Sequence, residues 1–431
     1  MEQPLCRTDN GTEYAENCRN ENIRFFTVPR RTQRDKAYPN WHFYYSDNED
    51  TPWQICDTES AQYFSAIGFH FARKIKKETG VAVGIISCNW GGTQIEPYIE
   101  ESLCRKTPSI QPVVKIHDNS LAGVNDEEYV KTYEKHMERR TYYNKNIRGD
   151  SICDVKKLGL RAAELYPWGD SENCAEPYGR FNSTVPGILY EAMVSRIMPF
   201  SLKGVLWYQG ESNANRMNLK HNCHRDGYDE KYAVLMQCWR EGFKCPELPF
   251  YAVELAPYKT AWDDSRDEEN YTWAYMRELQ MNAARLENSY IVSAQSNDDG
   301  FSIHPTNKKV VADRLASSVL KNTYKRNNFS ESPSYKSVEF ADGRAYVTFE
   351  NGEGLFCSYA NPYIFVCGQD RIFHRAHCYA ENDRLVVWSK EVKEPCAVRY
   401  CYSDYFVGTV FNGDGMPLHP FRTDDFELFE Y

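Results

Sequence analysis

The sequence predicts an α/β fold, a mostly parallel sheet with helices on both faces, followed by a separate all-β region. Two observations carry this. Between residues 24 and 320, short β-branched apolar runs alternate with stretches whose apolar residues recur at helical spacing. Beyond Asn322 the pattern turns to short alternating strands with turn signals, as in VEFADGRAYVTFENGEG, YIFVCGQDRIF and RLVVWSKEV. The expected domains are residues 1–323 and a β-rich accessory region, residues 324–431.

Each element has its own signal. From Asp57 to Gly80, Phe64, Ile67, Phe71 and Ile75 share one helical face, with Thr58 or Asp57 as starting cap and Gly80 as stop. Val81 to Ile86 reads as a strand and leads into the small-residue loop SCNWGGTQIEP. Asp126 to about Ile147 is charged and helical in pattern, and 148–184 reads as an insertion or lid. Pro186 opens a helix striped by Ile188, Leu189, Met193 and Ile197. Strand Val205 to Tyr208, helix Asp229 to Gly242, strand Phe250 to Leu255, helix Thr272 to Leu286 and strand Tyr290 to Ala294 continue the alternation. The final helix runs through Leu320 with Pro305 expected at its first position.

Composition narrows the partners. A net charge of −10 without a long basic run argues against nucleic acid and anionic membranes. No stretch approaches the roughly 18–20 consecutive apolar residues of a membrane span. The first twenty residues are polar and show no signal peptide, so a cytoplasmic location is expected, with secretion or a periplasmic site the alternative if a leader was lost with the front end. The 15 cysteines scatter and read as idle thiols of a reducing compartment. Cys223 lies between His221 and His224, but no second ligand pair stands near it, so no metal is expected. Sequons at Asn10, Asn182, Asn270 and Asn328 matter only in a secreted protein.

Three loops at strand ends carry the candidate chemistry. In the run GVLWYQGESNA, Gln209, Glu211, Ser212 and Asn213 crowd around Gly210 at the carboxyl end of a buried strand, where such sheets place ligands. Gln209 and Asn213 can donate amide hydrogens to an oxyanion, while Glu211 reads as a brace rather than a general acid. Gly91 and Gly92 are either a glycine turn or backbone donors to the same oxyanion. His304 precedes a helix and follows Asp298 and Asp299, a setting for either a surface cap or an oriented general base.

With these blocks in place the chain resembles the sialate O-acetylesterase family of SGNH (GDSL-like) hydrolases. VGIISCNWGGTQIEP is similar to that family's second block, GVLWYQGESNA to its third, and SIHPTNKKVVADRLA to the stretch bearing its histidine. FSAIGFHFARKI, PFYAVELAPY and AVRYCYSDYFVGTVFNGDGMPLHPFRTD follow the same habits, so the likeness runs from about residue 22 to 425. It implies a flavodoxin-like three-layer α/β domain with an attached β domain. The implied reaction is hydrolysis of acetyl esters on sugars, without cofactor or metal. His304 would be the base, Asp299 or Asp298 its orienting acid, Gly91 or Gly92 a backbone donor, and Gln209 or Asn213 a side-chain donor. Trp90 and Trp207 would shape the sugar pocket, or Trp207 would belong to the core.

The chain departs from the family twice. The usual Asp two or three positions before the histidine is replaced by Ser302 and Phe301. The family's nucleophile lies in a GQSNME-like block, whereas this chain begins MEQPL, and Ser87 is a poor substitute. The strand leading into that serine is missing as well. Its absence would leave a gap between two strand edges, about 1–3 kcal/mol per orphaned buried group. The expectation is a misplaced start or a truncated chain of a carbohydrate O-acetylesterase. The alternatives are a non-catalytic carbohydrate-binding relative or an esterase of the acetylxylan type.

Overall fold

The computed structural model describes residues 1–32, 52–125, 127–129, 131–133, 135, 179–198, 200–214, 227–259, 271–295, 300–358 and 363–428. It is a mixed α/β chain with a strand-rich C-terminal region. Two compact units emerge: Met1–Val28 with Asp50–Ile95 and Met198–Tyr431, and Pro29–Glu49 with Glu96–Ile197. Among the described residues, no helix is long and apolar enough to cross a membrane.

In the first unit, α1 (Gly11–Glu16) leads to β1 (Asn20–Thr27), and β2 (Gln54–Cys56) lies antiparallel to β1. The helix expected from Asp57 to Gly80 is two helices, α2 (Thr58–Tyr63) and α3 (Ala66–Thr79). The break has a local cause. Phe64 turns inward to stack on Phe25 at 4.2 Å, its carbonyl accepts from the Leu5 amide, and Ser65 becomes a new cap accepting from the Gly68 amide. Asp57 and Ser60 form a capping box at α2, and Gly80, at φ 76°, closes α3. Ile67, Phe71 and Ile75 are buried as their spacing predicts.

Strand β3 (Val83–Ser87) pairs parallel with β1. β4 (Val205–Trp207) is followed by the short α4 (Glu211–Ala214) and by α5 (Tyr228–Gly242). β5 (Phe250–Val253), α6 (Thr272–Ala283), β6 (Ser289–Val292) and α7 (Lys308–Asn322) complete the α/β part. Pro305 stands before α7 rather than opening it, because Asn307 takes the cap and accepts from the Val310 amide.

The single sheet expected from the alternation is divided into β2-β1-β3 and an all-parallel β4-β5-β6. Among the described residues β3 pairs only with β1 and β4 only with β5, so each keeps one open edge. β3 is half-buried, with Gly84 exposed, so the open edge of β3 keeps access to water, whereas Val205 and Trp207 of β4 are buried. One apolar cluster nevertheless spans both sheets, joining Ile67 and Phe71 of α3, Tyr251 and Val253 of β5, and Val311 and Leu315 of α7, with Ile85 and Leu206 packed against it.

The C-terminal strands are β7 (Ser334–Ala341), β8 (Arg344–Glu350), β9 (Phe356–Cys357), β10 (Ile364–Cys367), β11 (His374–Arg375), β12 (His377–Glu381), β13 (Arg384–Trp388), β14 (Ala397–Tyr400), β15 (Val410–Phe411) and β16 (Phe421–Arg422). Two four-stranded antiparallel sheets, β12-β13-β8-β7 and β11-β10-β14-β16, share one core of inward residues such as Val347, Leu385, Val366 and Val398. The loop after β14 docks on α6, where Asp404 Oδ1 accepts from the Trp273 amide at 2.6 Å, and Arg422 of β16 pairs with Glu278 at 2.8 Å.

The second unit holds a 3₁₀ turn (Glu96–Tyr98), helices Glu101–Cys104 and Gln111–Leu121, and a π-helical turn (Tyr190–Val194) running into Ser195–Ile197. The stripe expected after Pro186 is present, with Leu189, Met193 and Ile197 buried, but as a π turn rather than a regular helix. Most of the expected 126–147 helix and the 148–184 insertion lies outside the described residues.

Candidate active site

Gly210 explains why a strand can end so abruptly in a polar loop. Its φ of 154° is one that side chains disfavour, and a Cβ there would stand 2.9 Å from Gln280 Nε2 and 3.1 Å from Leu255. The turn directs Gln209 and Asn213 toward the Gly91 loop. Gln209 Nε2 donates to the Thr93 carbonyl at 3.1 Å and to Asn213 Oδ1 at 3.0 Å, while Asn213 Oδ1 also accepts from the Ile95 amide at 3.1 Å. On its other side Gln209 Oε1 accepts from the Tyr228 hydroxyl at 2.9 Å, and its carbonyl accepts from Gln280 Nε2 at 3.0 Å. Both amide hydrogens of Gln209 are thus committed, so in this state the side chain ties two loops together rather than facing a ligand.

Trp207 belongs to the core: its Nε1 donates to Tyr228 at 3.0 Å and its ring meets Trp239 edge-on. Trp90 is buried as well. Thr93 folds the glycine loop back by donating to the Trp90 carbonyl at 2.6 Å.

The Gly91 amide donates to the Glu2 carboxylate, and a Cβ at Gly91 would stand 2.7 Å from that carboxylate. Gly92, at φ 81°, takes the left-handed conformation of the turn and has open space where a Cβ would lie. An anionic oxygen therefore already sits on the backbone donor that the sequence singled out.

His304 lies on the exposed approach to α7, where Ser302 Oγ accepts from the His304 amide and donates to its carbonyl, both at 3.1 Å. Loss of water around the ring, with the Lys308 ammonium and the Met1 amine, holds its pKa below the ordinary 6.5, while Glu211 and Glu2 pull it upward. These influences bring His304, Glu211, the Met1 amine and Glu2 into one electrostatic neighbourhood, and the Glu2 contact extends it to Gly91. Asp298 and Asp299 lie outside the described residues, as do His221, Cys223 and His224.

Sequence reasoning missed four members of this assembly: Glu2, Tyr228, Gln280 and Lys308. Lys308 had a readable signal. A lysine in the first helical turn opposes the helix dipole, and here it is buried with its ammonium over the Tyr208 ring at 5.3 Å. Glu2, Tyr228 and Gln280 are brought in by tertiary packing alone.

The arrangement offers a histidine poised to be neutral at pH 7, a backbone donor holding an anionic oxygen, and braced amide loops. Residues 177–321, which include the Gln209 loop and His304, match the family described as carbohydrate esterase, sialic acid-specific acetylesterase. The chain is similar to the sialate O-acetylesterase of Mus musculus, 24% identical over 331 residues, covering 73% of this chain and 53% of the mouse protein. It is likewise similar to that of Pongo abelii, 29% identical over 297 residues, covering 64% and 43%. The chain spans about half the length of the curated relatives it matches. Among solved structures it is similar to XAC1771, a carbohydrate acetylesterase from Xanthomonas citri, at 26% identity and a TM-score of 0.69, covering 99% of this chain and 78% of that one.

Proposed function

We propose that the chain, whose residues 177–321 match the family of sialic acid-specific carbohydrate acetylesterases, has a site built for serine-type removal of acetyl groups from O-acetylated sugars, O-acetylated sialic acid foremost. The observation that carries this reading is the Glu2 carboxylate seated on the Gly91 amide within the neighbourhood of His304. That oxygen stands in for the oxyanion of a tetrahedral acetyl intermediate. In the reaction a seryl oxygen attacks the acetyl carbonyl, His304 takes the seryl proton, and the same imidazolium returns it to the departing sugar oxygen. Water then releases acetate by the same proton route. Asp299 or Asp298 orients His304, Gln209 and Glu211 brace the loops, and Asn213 is held against the Ile95 amide. The parallel strands with α3 and α7 belong, in this reading, to a flavodoxin-like three-layer domain of residues 1–323, with residues 324–431 as accessory domain.

Among the described residues we assign no nucleophile. Ser302 is engaged with the backbone of His304, and Ser87 Oγ accepts from Asn89 at 2.6 Å. The engaged hydroxyls of Ser302 and Ser87 favour a second reading, a carbohydrate-binding relative that holds acetylated glycans without cutting them.

Acetate release from an O-acetylated sialoside and from p-nitrophenyl acetate, measured for the chain and for His304→Ala, tests whether a nucleophile is present. Turnover no faster than in the variant supports the missing serine, and turnover lost in the variant overturns it. Titration calorimetry should then show tighter binding of the acetylated than of the de-acetylated sialoside. Equal or absent binding together with absent turnover would refute the carbohydrate site itself.

A further inference from the structure

Six of the twelve cysteines in the described residues stand in three thiol pairs. Cys18 and Cys56 meet where β2 ends beside the start of β1: the Cys56 thiol lies 3.4 Å from the Cys18 carbonyl, and the two thiols are within hydrogen-bonding reach. Cys357 of β9 and Cys378 of β12 pack on the same core with their thiols hydrogen-bonded. Cys367 ends β10 beside Cys396, whose amide donates to the Cys367 carbonyl at 2.8 Å and whose thiol reaches that of Cys367.

From these three juxtapositions we infer that Cys18–Cys56, Cys357–Cys378 and Cys367–Cys396 are disulfide sites, and that the chain is built to fold in an oxidising environment. This departs from the reading of idle thiols in a reducing compartment. Scattered buried cysteines have no reason to meet two by two, whereas bridged positions must bring their Cβ atoms to within about 4.5 Å. The pairs also fall where a staple is useful. The first joins segments 38 residues apart beneath the edge strand β2, and the other two join strands of the C-terminal region.

Oxidised glutathione balances the reaction. One thiolate attacks a glutathione sulfur and releases a glutathione thiolate. The partner thiolate then attacks the mixed disulfide, forming the protein S–S bond and releasing the second. Burial pushes Cys56 and Cys367 up to about 12, which slows their attack in the folded chain, whereas the hydrogen bond from Cys378 holds Cys357 lower.

The test incubates the reduced, folded chain in a glutathione redox buffer with a disulfide isomerase, traps thiols by alkylation and maps peptides without reduction. The expected map contains these three linkages, with Cys88 and Cys104 recovered as thiols, and a melting midpoint on the order of 10 °C above the reduced form. Cys56→Ser, Cys378→Ser and Cys396→Ser should each delete one linkage and leave the other two. Should a variant fail to fold, the unsubstituted map decides. Recovery of all six cysteines as thiols from folded protein, or linkages to other partners, would overturn the inference.

Discussion

Replacing His70 by Phe should flatten the acid side of the stability curve. His70 lies in α3, 5% exposed, between Tyr14 at 4.7 Å and Phe69 at 5.0 Å. Burial, then Lys309, lowers its pKa from 6.5 to about 4; Asp313 opposes this and Arg73 adds to it. The ring is neutral in the fold and protonates readily only once unfolded. Below pH 6.5 the unfolded chain binds the extra proton, so stability present at pH 7 is lost as pH falls toward 4, and the loss then levels off. The full shift corresponds to about 3 kcal/mol, of which about 2 kcal/mol has gone by pH 5. Phe keeps an aromatic in the same slot, so near pH 7 the variant should lie within about 1.5 kcal/mol of the native chain. Urea unfolding followed by tryptophan fluorescence at pH 7, 6 and 5 measures the difference directly. Other acid-sensitive groups, such as the Glu254 carboxylate paired with His419 at 2.7 Å, act equally on both chains and cancel in the comparison. Curves that stay parallel from pH 7 to pH 5 would refute the buried neutral imidazole.

Two further substitutions test the scaffold around the site. Gly210→Ala forces a Cβ into the Gln280 amide at a φ of 154° and should destabilise the chain by about 3 kcal/mol, read as a lower urea midpoint with an unchanged slope. Asp404→Ala removes the acceptor for the Trp273 and Ala274 amides at the start of α6; a loss of about 1–2 kcal/mol is expected in the same assay, and Asp404→Asn should recover most of it.

The sequence made legible those features whose cause is local. The Ile67, Phe71 and Ile75 stripe, the Gly80 stop, the helix ending at Gly242 and the alternation of β8 follow from side-chain period and cap chemistry, and the structure keeps them, whereas β13 buries Leu385, Val386 and Val387 in a row. What escaped was set by partners distant in the chain. Phe64 interrupts a helix that its own neighbours favour because Phe25 and Leu5 claim it, and Pro305 yields the start of α7 to Asn307. The same division holds at the candidate site. Gln209 and Asn213 were visible because polar side chains crowded after a buried strand demand partners, yet those partners proved to be the Thr93 carbonyl and the Ile95 amide. A carboxamide whose hydrogens are already committed can still serve catalysis by fixing the loop that bears Gly91. In the proposed reaction its removal should weaken transition-state binding only as far as that loop moves, so Gln209 would be a positioning residue, with contact to the reacting acyl group proposed for Gly91 and His304.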